Sequence, residues 1–377
     1  MYFRGAGTHF EYGCPPGRAG LVLSTGAMQE VAEYSYRDLT ITVGCGMTLK
    51  RLGEILAQQS QFLPIDFVFG GESTIGGTVA WTPPGPRSYR WGTLRDYVLG
   101  IRAVDGTGRA FFAGGKVVKN AAGYNVTRLL TGSWGTLALI LEVTLMVRPL
   151  PERLRVLSWV VSNKTDLERL LDCLIASRSE PAAVEVLGGP SWENDRWLRV
   201  GDDSDQVRVA VVYEGSSGEV DACCEELRRE LSEAGLKIED ELPADSYASL
   251  SHFLAGVPRA PWVYELSVRP SRVVAALEQL RHLRPRASFI GHAGLGRIFV
   301  FSDEDVAGLT AEAIGRLRNA MAALGGHLTV LRYSWDQSWN REDLWRPSVP
   351  ASRHMQRLKD QFDPHNVLNP GRFVFPP

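Results

Sequence analysis

Four short glycine-rich segments constrain this chain more than any other feature. Three follow one another: Gly70-Gly71-Glu72-Ser73-Thr74-Ile75-Gly76-Gly77-Thr78-Val79-Ala80, Gly114-Gly115-Lys116-Val117-Val118-Lys119-Asn120-Ala121-Ala122-Gly123-Tyr124 and Gly132-Ser133-Trp134-Gly135-Thr136-Leu137. The fourth, Arg4-Gly5-Ala6-Gly7-Thr8, stands near the start. Glycine admits positive φ and lets backbone approach a ligand closely. Successive N–H groups in such turns form concave anion sites. One such segment is an ordinary turn. Four in this order, read as strand–loop units, point to a fold that gathers several loops around an extended anion such as a pyrophosphate. No G-x-G-x-x-G follows a strand and no G-x-x-x-x-G-K-[ST] is present, which argues against a Rossmann domain and a P-loop.

The rest of the chain narrows the class. A formal net charge of −2 offers no electrostatic case for nucleic acid. The five cysteines, Cys14, Cys45, Cys173, Cys223 and Cys224, contain no C-x-x-C. Their odd number speaks against a disulfide framework, and their spacing against an iron–sulfur cluster held by this chain alone. Free thiols suit a reducing, cytoplasmic compartment. The N-terminus lacks a basic segment followed by an apolar run, and no apolar run is long enough to span a bilayer. Membrane association is therefore expected only as peripheral binding or through partners.

The 377 residues allow two or three domains. Residues 1–150 read as short strands with glycine turns: Leu21–Leu23, Leu39–Val43, a pair Tyr97–Val104 and Ala110–Phe112 around Asp105-Gly106-Thr107-Gly108, and a long buried strand Leu137–Val147. Thr48 is placed to cap a helix over Leu49–Gln59 with Leu49, Leu52, Ile55 and Leu56 on one face. Pro149 and Pro151 punctuate the chain. Residues 151–345 then read strand–helix–strand–strand–helix–strand, and the order repeats from Val263. That is the ferredoxin-like signature, an antiparallel sheet with helices on one face. Residues 346–377 are expected to close the chain with a helix over Trp345–Phe362 and the string Asp363-Pro364…Asn369-Pro370-Gly371-Arg372.

The strings Arg4-Gly5-Ala6-Gly7-Thr8, Ser73-Thr74-Ile75-Gly76-Gly77, Lys119-Asn120-Ala121-Ala122-Gly123-Tyr124 and Gly132-Ser133-Trp134-Gly135-Thr136-Leu137, with the closing Asp363…Arg372, resemble the FAD-binding domain of the vanillyl-alcohol oxidase/PCMH superfamily. Pro84-Gly85-Pro86-Arg87 and Gly92-Thr93-Leu94-Arg95-Asp96-Tyr97-Val98-Leu99-Gly100 narrow the likeness to the E-type family of glycolate oxidase FAD-binding subunits. The resemblance implies an α+β chain: a PCMH-type FAD-binding domain, N-terminally shortened because relatives carry a helix and two strands before the first glycine loop, plus a ferredoxin-like antiparallel-sheet cap domain. It implies FAD held by Arg4, Gly5, Ala6, Gly7 and Thr8, by Ser73, Thr74, Ile75, Gly76, Gly77 and Ala80, and by Gly135, Ile140 and Asn369. Some relatives attach FAD covalently through a histidine in the first loop. Thr8 occupies that position here and His9 is one residue late, so noncovalent FAD and a surface-loop role for His9 are expected.

Catalytic relatives hold a metal with a string like H-x-G-D-G-N-x-H and a glutamate in G-E-H-G. The matching stretches here are His292-Ala293-Gly294-Leu295-Gly296-Arg297-Ile298-Phe299 and Val330-Leu331-Arg332-Tyr333. Only one ligand type survives, so no metal is expected. Oxidising a 2-hydroxy acid requires a metal or a base to take the hydroxyl proton, and His292 is the remaining candidate base, against the alternative of a vestigial turn residue. The resemblance thus implies an auxiliary FAD subunit of a glycolate-to-glyoxylate oxidase. A D-type catalytic FAD subunit and an iron–sulfur subunit would be its partners, with the complex in the cytoplasm or at the inner face of the cell membrane. The alternatives are a stand-alone 2-hydroxyacid dehydrogenase and a flavin-free scaffold.

Overall fold

The computed structural model describes residues 1–115, 124–201, 206–255, 262–302, 310–333, 344 and 349–372. The chain divides into two compact units, one of Met1–Pro84, Gly92–Leu150 and Arg346–Pro377, the other of Gly85–Trp91 and Pro151–Trp345.

The first unit is built on a five-stranded antiparallel sheet in the order Val31–Ser35, Thr40–Gly44, Ala138–Met146, Val98–Asp105, Ala110–Gly114. The apolar run that predicts a long strand becomes its centre, with Val143 and Leu145 fully buried. The Asp105-Gly106-Thr107-Gly108 turn is tied by one carboxylate: Asp105 Oδ1 accepts from the Thr107 N–H at 3.0 Å, the Thr107 hydroxyl at 2.6 Å and the Arg109 N–H at 3.1 Å. The helix Leu49–Ala57 starts at Thr48, whose hydroxyl accepts from the Arg51 N–H. It buries Leu49, Leu52 and Leu56, with Ile55 at the margin. Leu39 is not in a strand. It closes a short 3-10 turn at φ 55, and the strand begins at Thr40.

The second glycine segment is the larger correction. The expected strand–loop around Gly76 is a turn followed by a short helix, Ile75–Ala80, capped by the Thr74 hydroxyl. Its glycines serve packing as well as any ligand: a Cβ on Gly76 would sit 2.7 Å from the Cys45 Cβ and 2.8 Å from the Cys45 carbonyl oxygen. A two-stranded parallel ladder, Tyr2–Arg4 with Val22–Ser24, carries the first glycine loop. Residues 116–123, with most of the second quoted string, lie outside the described residues. The closing helix is described over Val349–Phe362.

The second unit holds one eight-stranded antiparallel sheet in the order Asp240–Leu242, Arg153–Val161, Val207–Gly215, Ala183–Gly188, Ser288–His292, Arg297–Ser302, Trp262–Ser267, His327–Arg332. Each half is a strand–helix–strand–strand–helix–strand repeat, as the periodicity predicts. The two repeats join through their second strands, where Ala183–Gly188 pairs with Ser288–His292. Nothing in the periodicity announces that fusion, because an edge strand and a central strand of a sheet buried on both faces read alike. The helices Lys164–Ala176, Ser217–Glu233, Val273–Leu283 and Ala311–Ala323 contact one another in a layer on one face. On the other face, Glu214 is a fully buried carboxylate that anchors Gly85–Trp91. It accepts from Arg87 Nε and Nη2 at 2.9 and 2.8 Å and from Trp91 Nε1 at 2.7 Å. Arg87 also lies over the Tyr247 ring at 4.6 Å. Among the described residues no helix is long and apolar enough to cross a membrane.

Candidate cofactor site

A cleft in the first unit gathers three of the four glycine segments and the C-terminal return. One wall is the loop Arg4–His9 after the first strand. The second is Thr74, Gly76, Gly77, Ala80 and Trp81, and the third is Trp134 and Gly135 with Ala138, Leu139 and Ile140 of the central strand. Asn369 and Arg372 close it from the C-terminal segment. The first two loops touch: a Cβ on Gly5 would overlap the Thr74 hydroxyl.

The C-terminal string holds these loops together. Asn369 Oδ1 accepts from the Phe3 N–H at 3.0 Å, while its Nδ2 donates to the Trp134 carbonyl at 2.8 Å. One side chain thereby fixes the first loop against the third. Arg372 donates to three carbonyls of the segment that follows the first loop, those of Phe10 at 2.8 Å, Tyr12 at 2.8 Å and Cys14 at 3.0 Å. Lys359 is buried and donates to the Thr136 carbonyl at 2.7 Å and to Asp363 Oδ2 at 2.5 Å. Burial lowers the Lys359 pKa, opposed by Asp363. Asp363 in turn accepts from the Val367 and Leu368 N–H groups. Lys359, Asp363, Asn369 and Arg372 are therefore all engaged in or beside the cleft.

Of the expected contact residues, Arg4, Gly5, Ala6, Gly7, Thr8, Thr74, Gly76, Gly77, Ala80, Gly135, Ile140 and Asn369 line the cleft. Ser73 and Ile75 lie behind its wall: Ser73 is buried with its Oγ 3.0 Å from Thr8 Oγ1, and Ile75 is fully buried. Ala80 sits at the end of a helix, not along a strand. His9 is not a surface-loop residue. It lines the cleft, its ring is edge-on to Phe69 at 4.4 Å and to Trp81 at 5.3 Å, and its Nε2 is buried without a partner. Burial pushes its pKa down to about 4. Sequence reading missed His9, Trp81 and Trp134. The available signal was the aromatic spacing: Phe69, Trp81 and Trp134 flank the glycines, and the two tryptophan rings lie 5.0 Å apart at a 33° tilt.

The donor set is one-sided. Arg4 and Arg372 are the charged residues of the lining and no carboxylate belongs to it among the described residues. Beside these donors lie Trp81, Trp134, Leu139 and Ile140. Cationic and N–H donors beside flat apolar walls fit a dinucleotide with an anionic diphosphate and a planar ring system. Residues 1–114 match the family described as FAD binding domain, and residues 349–373 that described as FAD linked oxidases, C-terminal domain. The chain carries a PCMH-type FAD-binding domain. The first match holds the first two loops of the cleft and the second the segment that ties them; the third wall, Trp134–Ile140, lies outside both.

Relatives agree over nearly the whole length. The chain is 26% identical to glycolate oxidase subunit GlcD of Bacillus subtilis, over 98% of this chain and 82% of that one. It is 27% identical to D-lactate dehydrogenase of Archaeoglobus fulgidus, over 99% and 86%. It is 29% identical to glycolate oxidase subunit GlcE of Escherichia coli, over 94% and 87%. A solved alkyldihydroxyacetonephosphate synthase shares the fold at TM-score 0.66 and 18% identity, over 94% of this chain and 69% of that one. FAD is the cofactor and the chain is an FAD-linked oxidoreductase.

The second unit shows what stands at the expected metal position. His292 and Glu185 are opposed across the seam of the two repeats, with Nδ1 2.6 Å from Glu185 Oε2 and each side chain 1% exposed. Phe299, in place of the second histidine, packs 5.6 Å from the His292 ring, and Phe253 covers it at 5.4 Å. The His292 Nε2 is buried without a partner. Leu331 is an apolar core residue. Among the described residues no group of three His, Cys, Asp or Glu could hold a metal ion.

Proposed function

We propose that this chain is the auxiliary FAD-binding subunit of a multi-subunit glycolate oxidase that converts glycolate to glyoxylate. Its domains are residues 1–150, a cap of residues 151–345, and a C-terminal return over 346–377. The observation that carries the reading is a contrast. The cleft is lined by donors suited to a diphosphate, while His292 is clamped by Glu185 and roofed by Phe253 and Phe299. FAD supplies two-electron redox chemistry when bound. The chain's own residues hold and orient it, and the His292–Glu185 pair is buried, each side chain 1% exposed.

Thr8, at the position where covalent relatives carry histidine, is engaged with Ser73, which supports noncovalent FAD. A D-type flavoprotein subunit would supply the catalytic metal site. An iron–sulfur subunit would carry the electrons onward, since the five cysteines of this chain contain no C-x-x-C. The complex would sit in the cytoplasm or at the inner face of the membrane through those partners. The test is dye reduction with glycolate by the isolated chain, by the isolated D-type subunit, and by the co-purified complex. Activity is expected only where the D-type subunit is present, with a gain on adding this chain. Turnover of glycolate or D-lactate by the isolated chain refutes the auxiliary role in favour of a stand-alone dehydrogenase. A folded, colourless protein that cannot be loaded with FAD refutes the flavin role in favour of a scaffold.

A further inference from the structure

The third wall of the cleft turns through strained backbone. Trp134 and Gly135, which line the cleft, have φ of 58 and 64, in the left-handed region. A bulky side chain stays there only where surrounding contacts impose it. Within the first unit, the Thr136 hydroxyl donates to the Ser133 carbonyl at 2.6 Å, and the Trp134 N–H donates to the Ala80 carbonyl at 2.8 Å. Two further grips come from the C-terminal segment. Asn369 Nδ2 donates to the Trp134 carbonyl at 2.8 Å, and Lys359 Nζ donates to the Thr136 carbonyl at 2.7 Å. The carbonyls of the residues on either side of Gly135 are thus both held from far along the chain.

Lys359 is 4% exposed, and its ammonium uses its donors inside the protein: on Thr136, on Asp363 Oδ2 at 2.5 Å and on the Leu368 carbonyl at 3.2 Å. Asp363, also buried, accepts from the Val367 and Leu368 N–H groups at 2.9 and 2.8 Å. The pair therefore fixes the turn that leads into Asn369, which itself stands at φ 43. From there Asn369 reaches the first strand as a neighbouring strand would. Its N–H donates to the Met1 carbonyl at 2.8 Å, and its Oδ1 accepts from the Phe3 N–H at 3.0 Å. A buried ion pair is a weak source of stability, because desolvation offsets the attraction; its better-attested use is to fix one arrangement.

We propose that Lys359, paired with Asp363, is a positioning residue for FAD. It holds the Trp134–Thr136 turn directly and, through Asn369, ties that turn to the strand that carries the first glycine loop. The inference rests on FAD as the cofactor and not on the auxiliary role. Neither Lys359 nor Asp363 belongs to the cleft lining, so their effect on FAD is carried by the backbone they hold.

The experiment titrates the full flavin-free chain with FAD, by flavin fluorescence, at a temperature where far-ultraviolet circular dichroism shows every variant folded. The visible circular dichroism of the bound flavin reports the shape of its surroundings. Lys359→Met removes the donor to Thr136. Asn369→Gly removes the side-chain bridge but keeps a residue that tolerates φ 43. Leu52→Ala, in the buried stripe of the helix Leu49–Ala57 and outside the cleft lining, controls for lost stability alone. The expected result is FAD affinity weaker by about tenfold in Lys359→Met and in Asn369→Gly, a change of the same sign in the flavin dichroism of both, and wild-type binding in Leu52→Ala. In the double variant the losses should not multiply, because both residues act on one turn. If Lys359→Met does not fold, Asp363→Asn replaces it, keeping the shape of the side chain and removing the charge that holds Lys359. Wild-type affinity and dichroism in the Lys359 or Asp363 variant, losses that multiply in the double variant, or an equal loss in Leu52→Ala overturns the positioning role and leaves FAD binding intact. A wild-type chain that binds no FAD overturns the cofactor and the inference with it.

Discussion

Replacing Arg372 by methionine tests whether the C-terminal return builds the cofactor cleft or merely lies beside it. The guanidinium is 9% exposed and donates to the carbonyls of Phe10, Tyr12 and Cys14. Methionine keeps much of the aliphatic packing but removes the charged donor to three carbonyls. A charge-assisted hydrogen bond contributes about 1.5–3 kcal/mol, and a buried polar group left unsatisfied costs about 1–3 kcal/mol. The three bonds share one side chain, so they do not add. The loss expected is that of one charge-assisted donor group, about 1.5–3 kcal/mol. For a unit of this size that lowers Tm by roughly 5–10 °C. The assay is thermal and urea unfolding of the flavin-free chain, paired with FAD titration. FAD affinity should fall in step, because the unpinned carbonyls belong to the segment that follows Arg4–His9. An R372M chain within about 0.5 kcal/mol of wild type, with unchanged FAD affinity, would refute the reasoning; that is the scale of an ordinary surface substitution.

Three further outcomes are expected. Glu214→Leu removes the carboxylate to which Arg87 and the Trp91 N–H donate, so the second unit should lose about 3–5 kcal/mol and Gly85–Trp91 should become the first site of limited proteolysis; unchanged digestion kinetics would argue against the anchor. Gly76→Ala forces a Cβ against Cys45, so the flavin-free chain should be less stable by about 1–3 kcal/mol, read by urea midpoint. His9 is neutral in the fold with its pKa lowered from 6.5 to about 4, so the unfolded chain binds more protons between those values. Stability of the flavin-free chain therefore falls as pH drops from 6.5 to 4, by up to about 3 kcal/mol, and His9→Gln should flatten that part of the pH profile.

The glycine strings, the Thr48 cap, the leucine stripe of Leu49–Ala57 and the Asp105 turn were legible because their causes are local. A cap, a period or a turn is decided within a few residues. The two ferredoxin-like repeats were legible for the same reason. The helix at Ile75–Ala80 was not, because its glycines argue against a helix locally and are tolerated through close contact with Cys45. His9 was misread because exposure is set by the residues that surround a loop. Here those residues are Phe69 and Trp81, far along the chain.

The sequence by itself determined where the glycine-rich turns lie and that Phe299, Leu331 and Arg332 stand at the positions where the resemblance expects metal-site residues. Only the tertiary structure decided that Asn369 and Arg372 pin the segments behind the cleft, that two repeats fuse at Glu185 and His292, and that His9 is packed against Phe69 and Trp81 in the cleft lining. These are contacts between residues more than one hundred positions apart, or burial imposed by residues far along the chain. Such pairings leave no mark in local periodicity, because each partner is chosen by what the fold brings to it.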